Sequence, residues 1–190
     1  MLDKMIGFIG AGNMGSAMIG GILDASLVTT SQIIASAHSP ETLDKIRTKF
    51  SIETTQSNEV VAERSDILFL AVKPNKFAEV LPQIKDHLKP DCIVVSIAAG
   101  QPISNIEAIL GKIKLIRAMP NTPALVGAAM SALCPNDKVT AEEVKLIESL
   151  FNSFGRAEVV PESMMDAVVG VSGSSPAYVY MFIEAMADAA

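Results

Sequence analysis

Met5-Ile-Gly-Phe-Ile-Gly10-Ala-Gly12-Asn-Met-Gly15-Ser-Ala-Met-Ile-Gly20 decides how the rest of the chain is read. An apolar run with strand character ends in Gly10-x-Gly12-x-x-Gly15, and a helical pattern begins at once. Each glycine has its own task in such a turn. Gly10 lets the chain leave the strand through a tight bend. Gly12 leaves room for a pyrophosphate to approach the backbone amides, and Gly15 lets the helix pack on the strand. The helix N-terminus then offers unpaired N–H groups and a partial positive charge to phosphate. With a strand before it and a helix after it, the motif predicts a dinucleotide site.

Outward from this turn, apolar runs alternate with helical periodicity. Gln32–Ser36, Asp66–Val72, Cys92–Ile97 and Lys114–Met119 read as strands buried on both faces, which is the pattern of a parallel sheet. Helices are predicted over Ser16–Ala25, Glu41–Phe50, from Ser57 towards Arg64, and over Phe77–Leu88 and Ile103–Leu110. Ala128–Cys134 reads as a further strand and Arg156–Val160 as an edge strand. Between them Thr140-Ala-Glu-Glu143 is a capping box that opens another helix. The fold class is therefore α/β, a Rossmann-type, doubly wound and mostly parallel sheet. After Pro161 the rhythm changes. Pro161–Val169 looks helical, Gly170–Ser175 reads as a Gly/Ser hinge, and Pro176 opens a helix through Ala190. That last helix is apolar nearly all round, which predicts that it is buried by partners elsewhere, in further chain or in another subunit.

Composition bounds the function. A chain of 190 residues with 49% hydrophobic residues forms a well-buried core without staples. The net charge of -6 argues against nucleic acid or an anionic membrane as the main partner. No apolar run reaches the roughly 18 residues of a membrane span. Cys92 and Cys134 lack metal-ligand spacing and read as reduced core residues of a cytoplasmic protein, so no metal site is expected.

Ligands of open parallel sheets lie beyond the carboxyl ends of the strands. At the end of the second strand, Ser36-Ala-His38-Ser39-Pro40 carries hydroxyls and an imidazole, with no acid until Glu41. A carboxylate there would repel a 2′-phosphate, whereas Ser36, His38 and Ser39 can donate to it. This favours NADP, with NAD as the alternative, and His38 also reads simply as an exposed turn residue. Ala71, Val72, Lys73 and Pro74 have a positional claim to cofactor contact, although Lys73 reads equally as an exposed strand-end charge. Ala98-Ala99-Gly100 would let a flat nicotinamide or ribose lie against the backbone. The loop Pro120-Asn121-Thr122-Pro123 is rigid and carries an amide and a hydroxyl suited to orienting a polar ligand.

Together, the glycine turn, Ala71-Val-Lys-Pro74, Met119-Pro-Asn-Thr-Pro123 and Ser172-Gly-Ser-Ser-Pro-Ala-Tyr178 make the chain resemble the pyrroline-5-carboxylate reductase family. The resemblance spans all 190 residues. It implies NADPH- or NADH-dependent reduction of 1-pyrroline-5-carboxylate to L-proline, the last step of proline biosynthesis. It also implies a dinucleotide-binding domain over 1–160 and, over 161–190, the first helices of an all-helical dimerisation domain that assembles into dimers or higher homo-oligomers. Carried over by motif, it gives Ile9, Gly10, Ala11, Gly12, Asn13 and Met14 to the pyrophosphate. Ser36 and its neighbours, with Asn58, fall at the adenosine half. Ala71–Pro74 with Ile97, Ala98 and Ala99 flank the ribose and nicotinamide. Asn121, Ser172, Gly173, Ser174 and Ser175 border the substrate, with Glu162 a further candidate. Ser175 stands where the family motif has glycine, and members of the family continue past position 190.

No residue is singled out as a catalytic acid. A protonated cyclic imine is already electrophilic, so the expected role of the protein is to position it and hold its carboxylate. Two other classes compete with this reading. A hydroxyacid dehydrogenase-like reductase would need a catalytic lysine on a later helix, and none follows Lys145. A nucleotide-sensing or interaction module would bind cofactor without turnover.

Overall fold

The computed structural model describes residues 1–190. Eight strands form one sheet: β1 (Ile6–Ile9), β2 (Ile33–Ser36), β3 (Glu53–Thr55), β4 (Ile67–Leu70), β5 (Ile93–Ser96), β6 (Lys114–Met119), β7 (Ala129–Pro135) and β8 (Gly155–Val159). Their order is β3-β2-β1-β4-β5-β6-β7-β8. Every pairing is parallel except β6–β7, in which Ala118 lies opposite Leu133. The helices are α1 (Asn13–Asp24), α2 (Pro40–Phe50), α3 (Asn58–Arg64), α4 (Phe77–Ile84), α5 (Ile103–Leu110), α6 (Ala141–Phe151), α7 (Met165–Val168) and α8 (Ser175–Ala189).

The continuous apolar runs become strands because both sheet faces are covered. Along β1, β2, β4 and β5 successive side chains alternate between two cores. Phe8, Ile33, Phe69 and Val95 point into the core shared with α1 and α6. Ile9, Ile34, Leu70 and Val94 point into the core shared with α3, α4 and α5. Phe8 stacks on Phe69 at 4.7 Å between ring centroids, and Phe151 and Phe154 continue the aromatic column from α6. Both cysteines are buried and free, and burial pushes the Cys92 thiol up to about 12. No helix is long and apolar enough to cross a membrane.

Several boundaries differ from the sequence reading. The Phe77–Leu88 helix ends at Ile84 and continues as a 3-10 turn over Lys85–His87. The first helix runs over Asn13–Asp24 rather than Ser16–Ala25, with Ala25 as its exposed C-cap. β3 was not anticipated, because three polar residues at the sheet edge carry no apolar signal. The Gly170–Ser175 hinge is not a hinge: Val169–Gly173 forms a π-helix, with Ser174 N–H donating to the Val169 carbonyl at 3.0 Å. Finally, no residue of α8 is buried, and Tyr178, Met181 and Phe182 are exposed by 60–66%. Nothing within the single chain packs over that helix.

Candidate active site

The strand order reverses between β1 and β4, so the crevice at their carboxyl ends is the topological switch point where open α/β sheets bind ligands. The glycine turn closes one side of it. Gly10 sits at φ +97°, a left-handed conformation open to glycine, and a Cβ there would lie 2.6 Å from the Ala71 carbonyl oxygen. Its N–H donates to the Ser36 carbonyl at 3.0 Å, fixing the turn to β2. Gly12 is the N-cap of α1; no side chain caps it and its first turn contains no acid. A Cβ added at Gly12 would meet nothing within 4 Å. An uncapped helix N-terminus beside open space is the arrangement that a pyrophosphate needs. Gly12 and Asn13 are exposed, whereas Ile9 and Ala11 are buried and present backbone only.

Beyond the turn lies a cleft of about 320 Å³ lined by Met14, Ala71–Pro74, Ile97–Ala99, Met119–Thr122 and Gly173. The chain therefore brings together the ends of β4, β5 and β6, the start of α1 and the π-helix. The small side chains of Ala71, Ala98 and Ala99 leave room for a flat ring. Lys73 is exposed at the start of a short 3-10 turn, Pro74–Lys76.

At the far end of β2, Ser36 is fully buried and its Oγ donates to Asn58 Oδ1 at 2.7 Å. Asn58 Nδ2 donates in turn to Gln83 Oε1 at 2.7 Å. Ser39 has a local duty: it is the N-cap of α2, accepting from Thr42 N at 3.2 Å and donating to Glu41 at 2.7 Å. Removing that cap in Ser39→Ala should cost about 1 kcal/mol of stability, read by denaturant unfolding. His38 is exposed beside it.

The substrate candidates separate. Gly173 lines the cleft, and its α-carbon approaches so closely that an added Cβ would lie 2.9 Å from Met119 Cε. Ser172 faces a second, mostly apolar hollow beside α7, and Ser174 and Ser175 spend their hydroxyls on the carbonyls of Val169 and Val171. Glu162 is outside the cleft. Its Oε1 accepts from Ile103 N at 2.8 Å and from Arg117 Nη1 at 3.3 Å. Arg117, which the sequence reading passed over, is a 5% exposed charge within an apolar strand. A buried guanidinium must be paired, so a charge at such a strand position points to an acidic partner elsewhere.

This geometry has counterparts. The chain matches the family profile "NADP oxidoreductase coenzyme F420-dependent" over residues 5–100 and "Pyrroline-5-carboxylate reductase dimerisation" over residues 162–190. It is 49% identical over 190 residues to the pyrroline-5-carboxylate reductase of Escherichia coli K12, covering 100% of this chain and 71% of that one. The chain belongs to the pyrroline-5-carboxylate reductase family. Two solved reductases of that family superpose closely. The Coxiella burnetii reductase gives a TM-score of 0.92 at 34% identity, over 99% of this chain and 70% of its own. The Plasmodium falciparum reductase, solved with NADP bound, gives 0.90 at 35% identity, over 100% and 70%.

Membership of the reductase family gives the π-helix a context. In this chain the dimerisation profile begins at residue 162, so the segment that carries Gly173 to the cleft lies within that matched region. The cleft is thus assembled from both matched regions.

Proposed function

We propose that this chain reduces 1-pyrroline-5-carboxylate to L-proline with NADPH, as the last step of proline biosynthesis. The observation that carries this reading is the cleft at the β1/β4 switch point, in a chain 49% identical to a reductase of that name. When bound, the dinucleotide supplies a hydride to the carbon of the protonated C=N bond, and the imine nitrogen becomes the secondary amine of proline.

The residues of this chain bind and orient. The turn from Ile9 to Met14 holds the pyrophosphate through the backbone amides that follow Gly10 and the N-terminus of α1; the Gly10 N–H itself is spent on the Ser36 carbonyl. Ser36, His38, Ser39 and Asn58 border the adenosine ribose, where β2 ends without an acid and so admits a 2′-phosphate. Ala71–Pro74 and Ile97–Ala99 wall the nicotinamide half. The 172–175 segment borders the substrate through Gly173, which lines the cleft, while the hydroxyls of Ser174 and Ser175 hold the segment's own backbone. With no acid positioned in the cleft, orientation of an already protonated imine is the catalytic contribution.

We further infer a division at residue 160 between a dinucleotide-binding domain and the start of a helical dimerisation domain. The exposed apolar helix α8 supports self-association as a dimer or larger homo-oligomer. The two free buried cysteines fit a cytoplasmic location. The test is NADPH oxidation by the purified protein with 1-pyrroline-5-carboxylate as substrate. Imine-dependent turnover, faster with NADPH than with NADH, is expected. Normal cofactor binding without imine-dependent turnover would overturn the proposal.

A further inference from the structure

Asn121 begins the loop after β6 at the rim of the cleft, and its side-chain amide is already engaged on both ends. Oδ1 accepts from Met130 N, on β7, at 2.9 Å. That backbone donor fixes which end of the amide faces β7, so Nδ2 must point the other way. There it donates to the Ser172 carbonyl and to Ser172 Oγ, both at 3.3 Å. Ser172 lies within the π-helix Val169–Gly173, one residue before the glycine that lines the cleft. π-Helical turns leave the regular hydrogen-bond ladder, are rare, and occur mostly as single-turn bulges, frequently at functional sites.

The neighbouring contacts fit this arrangement. Gly173 approaches Met119, two residues before Asn121. At the other end of the segment, Arg117 on the same strand pairs with Glu162 and lies 3.6 Å from Asp166. The strand β6 and its loop therefore grip 162–173 at two places.

We propose that Asn121 is a positioning residue: its amide latches the π-helix to β7 and so sets where Gly173 stands against the nicotinamide half of the cleft. The substrate carboxylate is then held by others, because both polar atoms of the Asn121 side chain are engaged. This rests on the imine reduction proposed above, and the experiment separates the two.

The kinetics of Asn121→Ala are measured with 1-pyrroline-5-carboxylate and with 1-pyrroline, which lacks the carboxylate. A latch predicts that kcat falls for both imines by the same factor, on the order of tenfold, while NADPH affinity is unchanged. A selective loss with the carboxylated imine would overturn the proposal and make Asn121 a direct carboxylate ligand. An unchanged kcat would overturn it as well. Hydrogen exchange needs no turnover: amides of residues 172–175 should exchange faster in the variant, and unchanged protection there would refute the latch even if wild-type protein reduced neither imine. Where the alanine variant folds poorly, Asn121→Asp serves. It keeps an acceptor for Met130 N but loses the donor to the Ser172 carbonyl, leaving only the Ser172 hydroxyl to bridge, so exchange over 172–175 should still rise, by less than in the alanine variant.

Discussion

Gly12→Asp is expected to abolish cofactor binding and leave the fold intact. Gly12 sits at φ -72°, a value any L-residue adopts, and a Cβ there meets nothing within 4 Å. Asp is also a better N-cap than glycine, so α1 is expected to gain slightly in stability. Its carboxylate, however, would occupy the place proposed for the pyrophosphate and put like charge against it. NADPH affinity should fall by on the order of a hundredfold or more, read by fluorescence titration, with thermal unfolding no earlier than wild type. Undiminished NADPH binding would place the phosphates elsewhere. Gly10→Ala is the informative contrast. At φ +97° with its Cβ 2.6 Å from the Ala71 carbonyl oxygen, that substitution acts on the fold and should cost about 2 kcal/mol or more.

The largest loss of stability is expected from Phe69→Ala. Phe69 is fully buried at the centre of β4, stacked on Phe8 at 4.7 Å and against Phe151 at 6.0 Å. Truncating it opens a hole bounded by rigid rings from a strand and a helix, which relax little. The cost should be about 4 kcal/mol, a large part of the roughly 5–15 kcal/mol that separates a folded domain from its unfolded ensemble. Denaturant unfolding measures it directly. A loss below about 1 kcal/mol would mean that the aromatic column collapses onto the cavity. Because β4 leads straight into Ala71–Pro74, the variant should also loosen one wall of the cleft and weaken NADPH binding at temperatures where the fold still holds.

Much of the site was legible from local pattern. A strand that runs apolar on both faces and stops at a glycine turn or at Lys73-Pro74 has to deliver its end to the same sheet edge as its parallel neighbours. The loops at 10–15, 71–74, 97–99 and 119–122 were therefore bound to converge, and they do. What local pattern could not convey is which partner a polar group finds. Ser39 read as a cofactor donor, yet its hydroxyl caps α2. Asn121 read as a substrate contact, yet its amide reaches Met130 and Ser172. Glu162 read as a site residue, yet it answers the buried Arg117 from outside the cleft. In each case the partner is either hidden in the helix start itself or far off in sequence.

By itself, then, the sequence determined the α/β alternation, the glycine turn and the edge of the sheet where the loops converge, because hydrophobic period and glycine sterics act over a few residues. Only the tertiary structure decided that β7 runs antiparallel to β6, that 169–173 is a π-helix rather than a hinge, and that the apolar α8 is left uncovered in the single chain. Those outcomes depend on contacts between residues such as Asn121 and Ser172, 51 positions apart, where the free energy comes from pairings that no local stretch of sequence contains.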